Sequence, residues 1–198
     1  KINFFQSNVI DWVMIKNIDL NNWTINFIGL SSNINNFSGQ RFNSNGLTGC
    51  LTFYEVKFDM SSLNATNGVC EDQINIIRSN GIIKKILLNN SFSDGLDIDF
   101  SNINIKEIFV ENSRNDCSDF SRGIYKINKS IFINCQDKAI SIGEKSKINL
   151  NKTSIKNSNI GIASKDSSIS SVNEVFLENL NICVSAYNKK QEFSGSIL

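Results

Sequence analysis

Three aspartates define the chemistry open to this chain. In the stretch SDGLDIDF, Asp97 and Asp99 stand two residues apart, and Asp119 follows Asp97 at a spacing of 22. Successive side chains of an extended strand point to opposite faces, so Leu96, Ile98 and Phe100 are expected to turn inward and Asp97 and Asp99 outward. Carboxylates gathered on one face repel each other, and a sheet does not acquire them for stability. Three remedies are open. A hard cation such as calcium takes several oxygen ligands at once, with Asp97, Asp99 and Asp119 as the metal ligands. Alternatively, one carboxyl keeps its proton near neutral pH and becomes an acid. In the third, the acids are simply hydrated or paired with Arg78 and Arg122.

Lys165 and Tyr187 fall near the same surface and supply the residue types that remove or return a proton. The candidate catalytic set is therefore Asp97, Asp99, Asp119, Lys165 and Tyr187. Asn75, Arg78, Arg122, Glu144 and Lys189 surround it as candidate substrate-binding residues. The chain contains no histidine, which removes the Ser/His and Cys/His nucleophile pairs and the usual general base.

A repeat must position these residues. Short alternating runs such as TFYEVKF, INIKEIFV and INLNKTSI read as strands, and helical apolar spacing is scarce. Asn90, Asn112, Asn134, Asn157 and Asn179 recur at steps of 22, 22, 23 and 22, each after an apolar strand end. A fixed period of this length signals a solenoid, and an asparagine repeated at one buried corner is expected to satisfy the turn. The period also stacks one outward ladder, Asn75, Asp97, Asp119, Ser141, Ala163 and Ser185. Its neighbour runs Ile77, Asp99, Ser121, Gly143, Lys165 and Tyr187. Asp72, Asp94, Asp116 and Asp137 form a corner ladder, read as turn residues rather than as a site. Inward stacking is expected of Leu96, Ile98, Phe100, Phe120, Ile140, Ile142, Ile162 and Val184. The fold class is all-β, a parallel β-helix of about 22 residues per coil with coils roughly 4.8 Å apart.

The whole chain, 1–198, reads as a single domain. SNVIDWVMIKNI resembles one coil, whereas 19–46 is Asn/Ser/Gly-rich and out of phase and is read as an irregular excursion, with Trp23 and Phe27 either a binding lip or a cover for the coils. QEFSGSIL reads as the start of another coil. No end carries a capping helix pattern, so the chain is read as part of a larger protein with neighbouring domains at both ends. With 40% apolar residues and a net charge of +1, nothing provides a basic field for nucleic acid or an apolar run for a membrane span. Five cysteines without a CxxC pair are read as small buried thiols rather than as a disulfide framework.

The period, the asparagine ladder and the rhythm I-x-I-x-N-x-x-F-x-N resemble the right-handed parallel β-helix of the pectate-lyase-like superfamily, over about 46–187. The phrases TGCLTFYE (48–55), SDGLDIDF (93–100), DKAISIGE (137–144) and ASKD (163–166) are similar to those of secreted bacterial β-helix repeat proteins. The resemblance implies a right-handed coil, a polysaccharide or oligosaccharide partner, and an extracellular, cell-surface or periplasmic location. It also implies a choice of chemistry. A polysaccharide lyase or C5-epimerase would use Lys165 or Tyr187 as base with calcium or a cation against the uronate carboxylate. A glycoside hydrolase would use two of the aspartates. The alternative class is a non-catalytic structural or adhesive module of a cell-surface or tail-spike-like protein.

Overall fold

A computed structural model describes residues 1–30 and 41–198. Among the described residues there are fifteen strands and no helix. They are β1 (Ile2–Phe5), β2 (Val13–Lys16), β3 (Asp19–Asn21), β4 (Thr24–Ile28) and β5 (Gly49–Tyr54). There follow β6 (Lys57–Thr66), β7 (Asp72–Ile77), β8 (Asn80–Ser91), β9 (Asp94–Asp99) and β10 (Asn102–Ser113). The last are β11 (Ser118–Ser121), β12 (Ile124–Ile127), β13 (Ser130–Gly143), β14 (Lys147–Lys165) and β15 (Ile169–Tyr187). Strand pairing is parallel throughout and couples each coil to the next, giving a β-solenoid of about 8 turns with about 22 residues per turn.

The core follows from alternation. Phe53, Ile76, Ile98, Phe120 and Ile142 lie on consecutive rungs of one sheet, and all are fully buried. Leu88, Val110, Phe132 and Ile155 make an equivalent stack on another face. Buried apolar side chains stacked rung upon rung exclude water along the whole rod, which is how a solenoid turn obtains a core that it cannot build alone. Leu96, Ile140 and Ile162 are inward as expected. Phe100 is not: it is 51% exposed because its backbone turns into the left-handed region, φ 51°, and throws the ring outward. Val184 is exposed too, lying on β15, the last full coil.

Two corners shape the rod. At the first, Asn67, Asn90, Asn112, Asn134, Asn157 and Asn179 all have φ between 54° and 62°. Asparagine is among the residues that tolerate this conformation best. From Asn90 onward each amide nitrogen donates to the asparagine one coil earlier, at 3.1, 3.2, 2.8, 3.0 and 2.8 Å. The expectation of a buried corner needs correction, because these side chains are half-buried or exposed. The second corner follows the acidic strands and uses Glu55, Arg78, Phe100, Arg122 and Glu144 at φ 49–54°. Buried serines lock it: Ser101 Oγ donates to Asp99 O at 2.7 Å and accepts from Ser79 N at 2.9 Å. Ser79 Oγ in turn donates to Ile77 O and accepts from Val56 N, both at 3.0 Å.

Three expectations about the chain's ends and thiols change. Within 19–46, β3 and β4 pair in parallel with β6, so 19–28 belongs to a regular coil; residues 31–40 lie outside the described residues. Phe27 is a buried core residue rather than part of a lip. Cys50 is bonded to Cys70 and Cys117 to Cys135, at separations of 20 and 18 residues, leaving only Cys183 free. These separations fall just short of one coil, so each bridge joins neighbouring rungs across a corner. Ile197 makes a parallel bridge with Ile169, so the C-terminal residues do begin another rung.

Candidate functional site

The predicted acidic face exists and its register is as read. Asn75 pairs with Asp97, Asp97 with Asp119, Asp119 with Ser141, and Ser141 with Ala163. On the neighbouring ladder Ile77, Asp99, Ser121 and Gly143 follow in turn, and Lys165 pairs with Tyr187. The inward neighbours Leu96 and Ile98 are fully buried, which fixes the opposite orientation of Asp97 and Asp99. Behind the face, the buried Tyr125 donates its hydroxyl to Ser121 O at 2.7 Å and Ile98 O at 3.0 Å, pinning the two acidic rungs from inside. Nothing in the repeat singled out this tyrosine, because its partners are backbone atoms, one in its own coil and one in the coil before.

The strip is less open than the alternation implied. Asn75 is 1% exposed and donates Nδ2 to Asp97 Oδ2 at 3.1 Å, so it holds the acid rather than reaching a substrate. Lys165 is likewise enclosed, with Nζ 2.6 Å from Ser141 Oγ and 3.6 Å from Asp119 Oδ2. It is placed as a counterion of Asp119, and it is buried where alternation alone expected an outward side chain. Asp72 Oδ2, Asn75 Oδ1 and Asp119 Oδ1 are enclosed without hydrogen-bond partners. Unpaired acceptors of this kind are costly; those of Asn75 and Asp119 lie on one ladder of the face, and that of Asp72 lies on the corner ladder beside it.

Burial raises the Asp97 carboxyl well above the usual carboxylate range, and repulsion from Asp72, Asp99 and Asp119 adds to it. Asp99 is pushed up to about 6, first by burial and then by Asp119, although a hydrogen bond with Asp97 works the other way. Both shifts run in the direction that the second of the three remedies requires. Among the described residues no group of three or more His, Cys, Asp or Glu side chains is arranged to hold a metal ion.

The corner aspartates behave as turn residues, but across coils. Asp94 Oδ1 accepts from Asp116 N at 2.9 Å, and Asp116 Oδ1 accepts from Lys138 N at 3.0 Å. Asp137 is displaced from this ladder, since the rung above Asp116 is occupied by Lys138, whose ammonium lies 3.2 Å from Asp116 Oδ1. Burial, then repulsion from Asp116, lifts Asp94 to about 7.

The remaining candidates gather at the second corner, beside the strip rather than on it. Arg78 donates to Tyr54 OH at 3.0 Å. Arg122 donates to Glu144 Oε2 at 2.8 Å, and Lys190 pairs with the other oxygen of Glu144. The Arg122 guanidinium lies over both Phe100 and Phe193, at 5.5 and 5.9 Å. Lys189, proposed for substrate, is exposed, and its backbone amide donates to Asp166 Oδ1 at 2.7 Å. Tyr187 is half-buried beside Lys165 on the last coil. No family model, curated protein or solved structure matches the chain.

Proposed function

We propose that the protein engages a polysaccharide along the strip bearing Asp97, Asp99 and Asp119 and cleaves its glycosidic bonds by acid–base hydrolysis. The observation that carries this reading is the Asp97–Asp99 pair: Asp99, half-buried and pushed up to about 6, holds a proton close to neutral pH and can give it to a leaving oxygen. Asp119, one rung away, is the second carboxyl that such a reaction needs. The lyase and epimerase readings that use Lys165 as base lose ground because Lys165 is committed to Asp119 and Ser141, which leaves Tyr187 as their base. Two disulfides suit an oxidising compartment and support an extracellular, cell-surface or periplasmic setting. No helix among the described residues is long and apolar enough to cross a membrane.

One observation favours the competing reading, a structural or adhesive β-helix segment: Arg122, Lys165 and Lys190 are already paired with acids of the chain. Incubation with acidic and neutral polysaccharides separates the two. Hydrolysis yields new saturated reducing ends that disappear in Asp99→Asn, a lyase yields unsaturated ends that absorb ultraviolet light, and a structural module yields neither.

A further inference from the structure

The asparagine corner borders a groove of about 470 Å³, within the volume range of roughly 300–1,000 Å³ usual for small-ligand sites. Asn90, Asn112 and Asn134 form part of its wall, and Phe92, Arg114 and Gln136, two residues further along each coil, also line it. It runs along the rod at the turn that precedes β9 and β11, apart from the acidic strip on those strands.

An asparagine amide has two N–H donors and an oxygen with two lone pairs. The ladder uses one N–H of Asn134 on Asn112 and one lone pair of Asn134 for Asn157. Asn134 and Asn157 thus each retain one donor and one acceptor, whereas Asn112 also donates to Asn89 Oδ1 at 3.3 Å and retains an acceptor, so the array of free amide groups repeats at the coil spacing of roughly 4.8 Å. The left-handed backbone holds every rung in the same attitude, so the array is ordered before any ligand arrives, which lowers the entropic cost of binding. Among the described residues Arg114 is the one charged residue lining the groove, and its guanidinium lies 5.6 Å from the Phe92 ring centroid. A polyanion would call for a row of cations. A regular array of neutral donors and acceptors fits instead a linear chain of hydroxyl-bearing units.

We propose that this groove is a binding site for a linear neutral polysaccharide, lying along the asparagine ladder and separate from the carboxyl strip. The site needs no catalysis to be real, and it stands whether or not the strip hydrolyses anything.

The experiment is calorimetric titration of the whole chain with neutral β-linked hexasaccharides of glucose, xylose and mannose, and with a galacturonate hexasaccharide. At least one neutral hexasaccharide should bind, more tightly than the uronate. The double variant Asn112→Gly/Asn134→Gly keeps the left-handed turns and deletes two amides; it should weaken binding at least tenfold. Hydroxyl-radical footprinting of the unaltered protein gives a second readout that needs no variant, with protection expected at the exposed Arg114 and Gln136. Absence of binding by every neutral hexasaccharide overturns the proposal. So does affinity that survives the double substitution, or protection confined to the acidic strip.

Discussion

The Lys165 ammonium donates to Ser141 Oγ at 2.6 Å, from the rung next to the one that carries Ser141. That contact holds the cation within 3.6 Å of Asp119, so the only lysine enclosed along the described acidic strip is spent on internal balance. Lys165→Met leaves Asp119 without its partner. Removing one member of a buried pair costs about 3–5 kcal/mol, and the quarter exposure of the Asp119 side chain lowers the expected loss to about 1–3 kcal/mol. Urea denaturation measures it. Pairing the change with Asp119→Asn should restore a large part of the loss, and strictly additive losses would mean that the two charges do not interact.

The asparagine corner predicts a contrast between two substitutions at one position. Asn112→Ala keeps the turn at φ 62° but places an alanine in the left-handed region, at a cost of about 1–2 kcal/mol. Asn112→Gly loses the same amide without that strain and should be about 1 kcal/mol more stable than the alanine variant. Equal stability of the two would assign the ladder's contribution to its hydrogen bonds rather than to backbone conformation.

The cysteine pattern gives a count that a thiol reagent checks directly. One thiol per chain, Cys183, should react without reductant, and five after reduction and unfolding. Replacing Cys117 and Cys135 together by serine should cost about 2–4 kcal/mol, the usual value for a loop of this length.

Stability should rise on mild acidification. Asp97, Asp99 and Asp94 hold protons more tightly in the fold than in the unfolded chain. Their contribution is therefore complete below the unfolded carboxylate value and is lost as pH climbs through the folded values, from about 4 to about 7. Asp137 and Glu144 act in the opposite sense: burial pulls each upward, but Lys138 for the first, and Lys190 with Arg122 for the second, outweigh it and lower them. Their contribution disappears as pH falls through the acid range. Melting temperature should thus peak near pH 5, and Asp97→Asn should flatten its decline toward pH 8. A melting temperature that climbs steadily from pH 5 to 8 would contradict the raised carboxyls of the strip.

Much of the fold was legible because a solenoid writes its geometry into one period. The step of 22 between Asp97 and Asp119 is the rung register itself, and the recurrence of asparagine marks a corner whose backbone few other residues accept. The other corner was illegible, since Glu55, Arg78, Phe100, Arg122 and Glu144 share a conformation but no chemistry. Phe100 was misplaced for that reason: alternation holds only while the strand continues. The bridges escaped notice because separations of 20 and 18 look irregular against the period, although a bond between adjacent rungs across a corner requires a shortfall. In the site, the ladders were visible but their internal partners were not. The pairing of Lys165 with Ser141 depends on side-chain reach between coils, and Lys138 takes the rung assigned to Asp137 because the register shifts between Cys135 and Lys138.

The pH dependence of sugar release, compared between the unaltered protein and Asp99→Asn, tests the central claim most directly. A proton-donating Asp99 predicts turnover that is carried on the acid side, falls to half near pH 6 and is lowered at least 100-fold by Asp99→Asn. Release that is the same in both proteins at every pH, or absent from both on all polysaccharides offered, would contradict it.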